Sequence, residues 1–194
     1  MWVLVMEIDL LNFGVAKFKS RGSLQMLKKA WAALSPSIKS IINEADFGAF
    51  FEALSNHETY EYRDLQLFLA LVECFWDTTC TFHFPGIGEV MLTPYDFSVI
   101  TGLRLGSKRI LVNDSLTSIE LNKILGVMPS RMRKNNIPLF WLCENIPQCE
   151  TMAKGARIFM LLFIGTFLCP DLGSIVNLLY LGSLRKIEHI QNYD

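Results

Sequence analysis

The sequence predicts a mainly α fold class, an irregular helical domain with a small β hairpin near residues 81–92. Three observations lead there. Apolar residues recur at helical spacing along most of the chain, as in Phe47, Phe50, Phe51 and Leu54. Helix start and stop signals are frequent, the clearest being Thr93-Pro94 at one end of a helix and Gly102 at the other. Strand-like sequence bounded by turn residues occurs in one place, around Thr81 to Leu92.

Taken in order, residues 24–54 read as short helices, one of them opened by Ser35-Pro36 with proline at the first helical position. A second helical stretch runs from about Arg63 to Phe75, with Leu65, Leu67, Phe68, Leu69, Leu71 and Val72 as its apolar set. Thr81-Phe82-His83-Phe84 and Glu89-Val90-Met91-Leu92 are strand candidates joined by the turn Pro85-Gly86-Ile87-Gly88. Thr93 then caps a helix whose first turn carries Asp96, near the positive end of the helix dipole, and Gly102 stops it. Thr117 and Glu120 form a capping box for a helix ending at Gly126. Residues 130–138 are polar and basic and read as a loop, and residues 139–144 as a short helix or turn. The longest helix candidate runs from 150 to 169, ended by Pro170-Asp171. Residues 184–193 form a last amphipathic helix with Leu184, Ile187 and Ile190 on one face. The expected organisation is an N-terminal helical segment, residues 1–62, packed as one unit with residues 63–194.

Bulk composition excludes several classes. Of 194 residues, 51% are hydrophobic and 19% charged, so a packed globule is expected and a disordered chain is not. The apolar excess also suggests that part of the surface is covered by a partner or a further segment. A net charge of −1 argues against a free-standing nucleic-acid binder. The five cysteines are odd in number and nowhere spaced C-x-x-C, so buried thiols are expected in place of a disulfide framework. The apolar start carries Glu7 and Asp9 without a basic region, which makes a poor secretory signal. The apolar run at 158–169 is too short for a bilayer, which takes about 20 residues, so no membrane span is expected.

No catalytic motif is legible. Gly86-x-Gly88 lacks the third glycine of a dinucleotide loop, and the run Gly102 to Lys108 is one residue short of a phosphate loop, with Ser107 preceding the lysine. Cys74, Cys80 and His83 lie close together, and Cys143 and Cys149 repeat the six-residue offset, but zinc knuckles place ligands two to four residues apart. Neither a metal nor another cofactor is therefore expected. His83 sits between two phenylalanines and reads as structural, on the face opposite to theirs. Two basic clusters remain as a possible contact patch for phosphate or an acidic partner: Arg104, Lys108 and Arg109, then Arg131, Arg133 and Lys134. Solvated loops are the plainer reading of both.

The series Phe82-His83-Phe84-Pro85, Gly88-Glu89, Thr93, Asp96 and Gly102-Leu103 resembles the signature of the plant mobile domain, a family also called aminotransferase-like. Trp141-Leu142, Ala156-Arg157 and Phe167 to Asp171 extend the resemblance, which spans about residues 65–194. It departs from the family pattern in a longer turn before Gly88, in Pro94 where leucine is usual, and in lacking a following Trp-Gly segment. The expectation from this is an incomplete domain. The resemblance implies a non-enzymatic nuclear interaction module of transposon-related origin, similar to the MAIN-like proteins, acting in silencing and meristem maintenance. It implies other nuclear proteins as partners, a phosphatase-like protein among them, and no membrane. The alternative expectation is a nucleic-acid-binding remnant of a transposon protein, and a third is a metal- or cofactor-dependent enzyme.

Overall fold

A computed structural model describes residues 24–56, 65–108, 118–126, 135–149, 151–171 and 174–192. Helices dominate these residues, with two small antiparallel sheets, in agreement with the fold class expected from sequence.

Three short helices open the described chain: α1 (Leu24–Ala33), α2 (Pro36–Glu44) and α3 (Gly48–Asn56). As the Ser35-Pro36 pair predicts, Ser35 caps α2, its hydroxyl accepting from the Ile38 N–H at 3.4 Å with Pro36 at the start of the helix. Helix α4 (Leu65–Cys74) leads into a three-stranded meander of β1 (Phe75–Trp76), β2 (Thr81–Phe84) and β3 (Gly88–Val90). Helices α5 (Pro94–Thr101), α6 (Ser118–Leu125), α7 (Leu139–Asn145) and α8 (Met152–Phe163) follow, and α9 (Leu181–Leu184) comes near the end. Between them lies a second sheet, β4 (Asn136–Pro138) against β5 (Ile175–Asn177), with Ile137 opposite Val176.

Helix α8 is the axis of the core. Every residue from Ile158 to Ile164 is buried, so this segment has no solvent face and packs against neighbours all round. Those neighbours include α1, α2, α6, α7 and α9. Its aromatic side meets α1 and α3: Phe51 lies 4.8 Å from Phe159 and 5.0 Å from Phe163, and Trp31 lies 5.6 Å from Phe159. The stripe Phe47, Phe50 and Phe51 read from the sequence is the surface by which α3 joins this cluster. Its other end is tied to α9 by Arg157, which donates to the carbonyls of Leu184 at 3.1 Å and Arg185 at 3.0 Å. A cation placed there satisfies carbonyls that the end of a short helix leaves open.

Three expectations need correction. Residues 136–138 were expected as loop and form strand β4, because Asn136–Pro138 pairs with a β5 partner that local pattern did not reveal. The helix expected over 150–169 changes character: regular α geometry ends at Phe163, and Ile164–Leu168 winds more loosely, with the Cys169 N–H reaching the Ile164 carbonyl at 2.7 Å. The helix expected over 184–193 is a 3-10 segment, Ile187–Asn192, after a break at Arg185–Lys186. Leu184, Ile187 and Ile190 are nevertheless all buried, so the apolar face was read correctly from a different helical form. Thr117, expected to cap α6, lies outside the described residues. Within them, no helix is long and apolar enough to cross a membrane.

Candidate functional site

The motif residues singled out from sequence fall on two elements that follow one another in the chain, the β1–β2–β3 meander and α5. Pairing sets Phe82 opposite both Phe75 and Val90, His83 opposite Glu89, and Phe84 opposite Gly88. Gly86 and Gly88 take positive φ of 81° and 107°, which the turn between β2 and β3 requires and which side-chain-bearing residues rarely adopt. Alternation then divides the side chains. Phe82 packs on Phe75 at 5.2 Å and near Phe84 at 6.2 Å. His83 stacks on Trp76 at 3.7 Å between ring centroids. Its Nε2 lies 3.1 Å from the Thr81 hydroxyl and 3.2 Å from Glu89 Oε1. A histidine stacked on one side and hydrogen-bonded on its ring edge is a sheet-stabilising residue of the cross-strand kind.

Helix α5 is held at its start by a closed capping box. The Thr93 hydroxyl accepts from the Asp96 N–H at 3.1 Å, and Asp96 Oδ2 accepts from the Thr93 N–H at 2.8 Å and from its hydroxyl at 2.5 Å. Gly102 ends the helix at φ 72°, its N–H bonded to the Ser98 carbonyl at 2.8 Å. The Thr93 hydroxyl, then its N–H, hold the Asp96 carboxyl below its ordinary range. Folding thus favours the ionised carboxylate. That contribution is present above the ordinary carboxylate value and is lost as pH falls through the lowered folded-state value. Thr93→Ala should cost about 1 kcal/mol at neutral pH, read by denaturant titration. The difference between variant and parent should shrink in strong acid. An unchanged midpoint at pH 7 would refute the capping role.

The remaining residues are anchors. Phe97 turns toward the core and lies 6.2 Å from Phe167, and Leu103 is buried. Arg104 pairs with Asp46 at 3.2 Å on the surface, a contact of small energetic weight. The N–H groups of Ser107 and Lys108 both bond the Asn192 carbonyl, at 3.0 and 2.9 Å. The run Gly102 to Lys108 is therefore tied to the last described residue, and those two N–H groups already have a protein acceptor. Of the basic clusters, Arg104 and Lys108 are described and exposed, while Arg109, Arg131, Arg133 and Lys134 lie outside the described residues.

What sequence reading missed is how little of this unit is covered. Helix α5 has no buried residue, and all three residues of β3 are exposed. Trp76, Ile87, Val90, Met91, Leu92, Tyr95, Val99, Ile100 and Leu105 are exposed, with Ile87 at 79%, Ile100 at 72% and Tyr95 at 69%. The available signal was Tyr95, Val99 and Ile100 standing in one eight-residue helix that spends only Phe97 on the core.

Two described groups outside these elements have shifted titration. Burial, and then Glu144, push the Cys143 thiol up, which keeps it protonated and weakly nucleophilic. Burial, then Cys169 and Asp171, push Tyr180 to about 12. The Cys80 and Cys149 thiols donate to the carbonyls of Asp77 and Asn145 at 3.5 and 3.3 Å. Among the described residues no three His, Cys, Asp or Glu side chains gather as a metal would need.

No curated protein and no solved structure matches the chain. The resemblance to the plant mobile domain is overturned, because the family model that does match is a different one and covers nearly the whole chain. Its apparent motifs have local causes: Pro85-Gly86-Ile87-Gly88 is a hairpin turn, and Thr93, Asp96 and Gly102 are the caps of α5. The nuclear location, the silencing role and the phosphatase-like partner stood on that resemblance and lose its support with it. The matching model is described as a domain of unknown function, DUF8566; it spans residues 20–194, and the chain belongs to that family.

Proposed function

We propose that this chain is a non-catalytic interaction module whose contact face is the β1–β2–β3 meander together with α5. One observation carries the reading. Of the 13 large hydrophobic residues exposed among the described residues, nine fall between Trp76 and Leu105. Scattered exposed apolar residues are normal on any protein, whereas their concentration in one stretch of chain supports reading it as a binding region. The axial helix does not share this exposure, since Ile158 to Ile164 are all buried.

The test is site-directed photo-cross-linking in the native cell. A photoreactive amino acid replaces Ile87 or Ile100 on the proposed face, or Glu52 on α3 as an exposed control. Discrete protein adducts at 87 and 100, absent at 52, are the expected result. Equal labelling at all three positions, or none at 87 and 100, would overturn the reading.

A further inference from the structure

Strand β3 is an edge of its sheet, and among the described residues its outer side has no strand partner. Native edges are commonly blunted by lysine or proline. The strip Ile87 to Leu92 has neither, and its one charge is Glu89. Its large apolar residues, Ile87, Val90, Met91 and Leu92, are all exposed. Backbone direction follows from the turn. The Phe84 carbonyl points inward, because it accepts from the Ile87 N–H at 3.1 Å. Inward and outward groups alternate along an antiparallel ladder, and Phe84 stands opposite Gly88, His83 opposite Glu89 and Phe82 opposite Val90. The N–H and carbonyl of Glu89 therefore face the open side. Met91 repeats that direction two residues on, and the chain runs from Val90 to the extended Thr93 without helix or turn.

A second copy of this strip fits the open edge in an antiparallel register with a two-fold axis through Val90. Glu89 of each copy then lies opposite Met91 of the other, and the two exchange their outward N–H and carbonyl groups. On one side of the sheet Phe75, Phe82 and Val90 are direct cross-strand neighbours. Setting Val90 against its own counterpart continues that apolar row without a break across both copies. Gly88 falls on the same side, opposite Leu92 of the other copy. A Cβ added at Gly88 would meet nothing within 4 Å, so the leucine has room there, next to Phe84. On the other side Glu89 meets a methionine and keeps its contact with His83 at 3.2 Å. An axis through Glu89 would set two carboxylates directly opposite, which is destabilising, so charge selects the register. An unrelated strand could make the same backbone bonds. The apolar row, the filled glycine and the separated carboxylates come together in the chain's own sequence. We infer that β3 and residues 91–92 pair with the same strip of a second copy, joining two meanders into one sheet. The inference rests on the interaction-module reading above and names the partner.

The experiment uses the full chain carrying Cys80→Ser, which removes the exposed thiol. Val90→Cys and Leu92→Cys are each added to it and oxidised. Opposed residues of a non-hydrogen-bonded pair hold their Cα atoms about 4.5 Å apart, within disulfide reach. Leu92 faces Gly88 in this register, so position 92 lies about 13 Å from its own counterpart and out of reach. The expected result is a disulfide-linked dimer for Val90→Cys, at about tenfold or more the yield of Leu92→Cys. Sedimentation equilibrium should show the parent chain as a concentration-dependent dimer. Met91→Pro removes an outward N–H, lies beyond the residues paired with β2, and should leave the chain monomeric. Leu92→Lys, also beyond those pairs, should weaken the dimer with helix content by circular dichroism unchanged. A monomeric parent chain, equal disulfide yields at 90 and 92, or a dimer unmoved by both Met91→Pro and Leu92→Lys overturns the inference. If the chain is monomeric while positions 87 and 100 cross-link to other proteins, self-pairing fails and the interaction reading stands. If neither dimer nor adduct appears, both fail.

Discussion

Phe159→Ala should be the most damaging single truncation in the molecule, lowering stability by about 3–5 kcal/mol. Phe159 is fully buried on the axial helix and touches both Trp31 of α1 and Phe51 of α3, at 5.6 and 4.8 Å between centroids. Removing the ring deletes its transfer energy and leaves a cavity bounded by aromatic rings, and large rigid rings close over a void poorly. The loss is not confined to one contact. Phe51 also packs on Phe163 at 5.0 Å and Phe163 on Phe167 at 5.5 Å, so the cluster runs from the last turns of α8 past its end to Phe97 of α5. Most domains hold only about 5–15 kcal/mol in reserve, so the variant should be marginal and melt roughly 10 °C or more below its parent. Phe159→Leu, which keeps much of the volume, should lose clearly less. Chemical denaturation of the two variants reads the difference. A loss under about 1 kcal/mol for Phe159→Ala would mean that α8 is not the axis of the core.

The elements most legible in the sequence are those whose cause is local. Ser35-Pro36 starts α2 and Thr93 to Gly102 bounds α5 because caps act within one turn of chain. The hairpin was legible for the same reason, as its turn needs residues that accept positive φ, and Gly86 and Gly88 supply them. The elements lost to sequence reading depend on distant partners. Strand β1 is two residues long and exists through its pairing with β2, and β4 exists through β5, nearly forty residues later in the chain. The break at Arg185–Lys186 follows no proline or glycine in those two residues, and it sits where Arg157 bonds the carbonyls at the end of α9. The candidate site was half legible. Its residues were picked out, but as a family signature, and the exposure that gives them a use cannot be read from a pattern that predicts burial for every apolar residue at helical spacing.

Two glycines on the axial segment should answer an added methyl group differently, and the difference tests how α8 is held. A Cβ built on Gly165 would lie 2.6 Å from Val176 Cβ and 2.7 Å from Leu139 Cδ2. The first of these is fixed to its backbone, and that backbone belongs to β5, paired with β4 through Ile137 and Val176. It cannot yield without moving the small sheet or the helix. Gly165 thus lets the loosened Ile164–Leu168 segment approach β5 closely, and Gly165→Ala should cost about 1–3 kcal/mol as overpacking. At Gly155 the nearest atom is Ile38 Cδ1, 2.7 Å away, the far end of a flexible side chain on α2. A small rotation there relieves the contact, and alanine is favoured over glycine in a helix interior by about 0.8–1.0 kcal/mol. Gly155→Ala should therefore be close to neutral. Equilibrium unfolding of both single variants and of the double variant gives the comparison. The two sites lie apart on the helix axis, so the double variant should lose about what Gly165→Ala loses by itself, within roughly 0.5 kcal/mol. If Gly155→Ala proved the more damaging, the rigid boundary of α8 would lie on its α2 side, and the close approach of Gly165 to β5 would not set how the helix is seated.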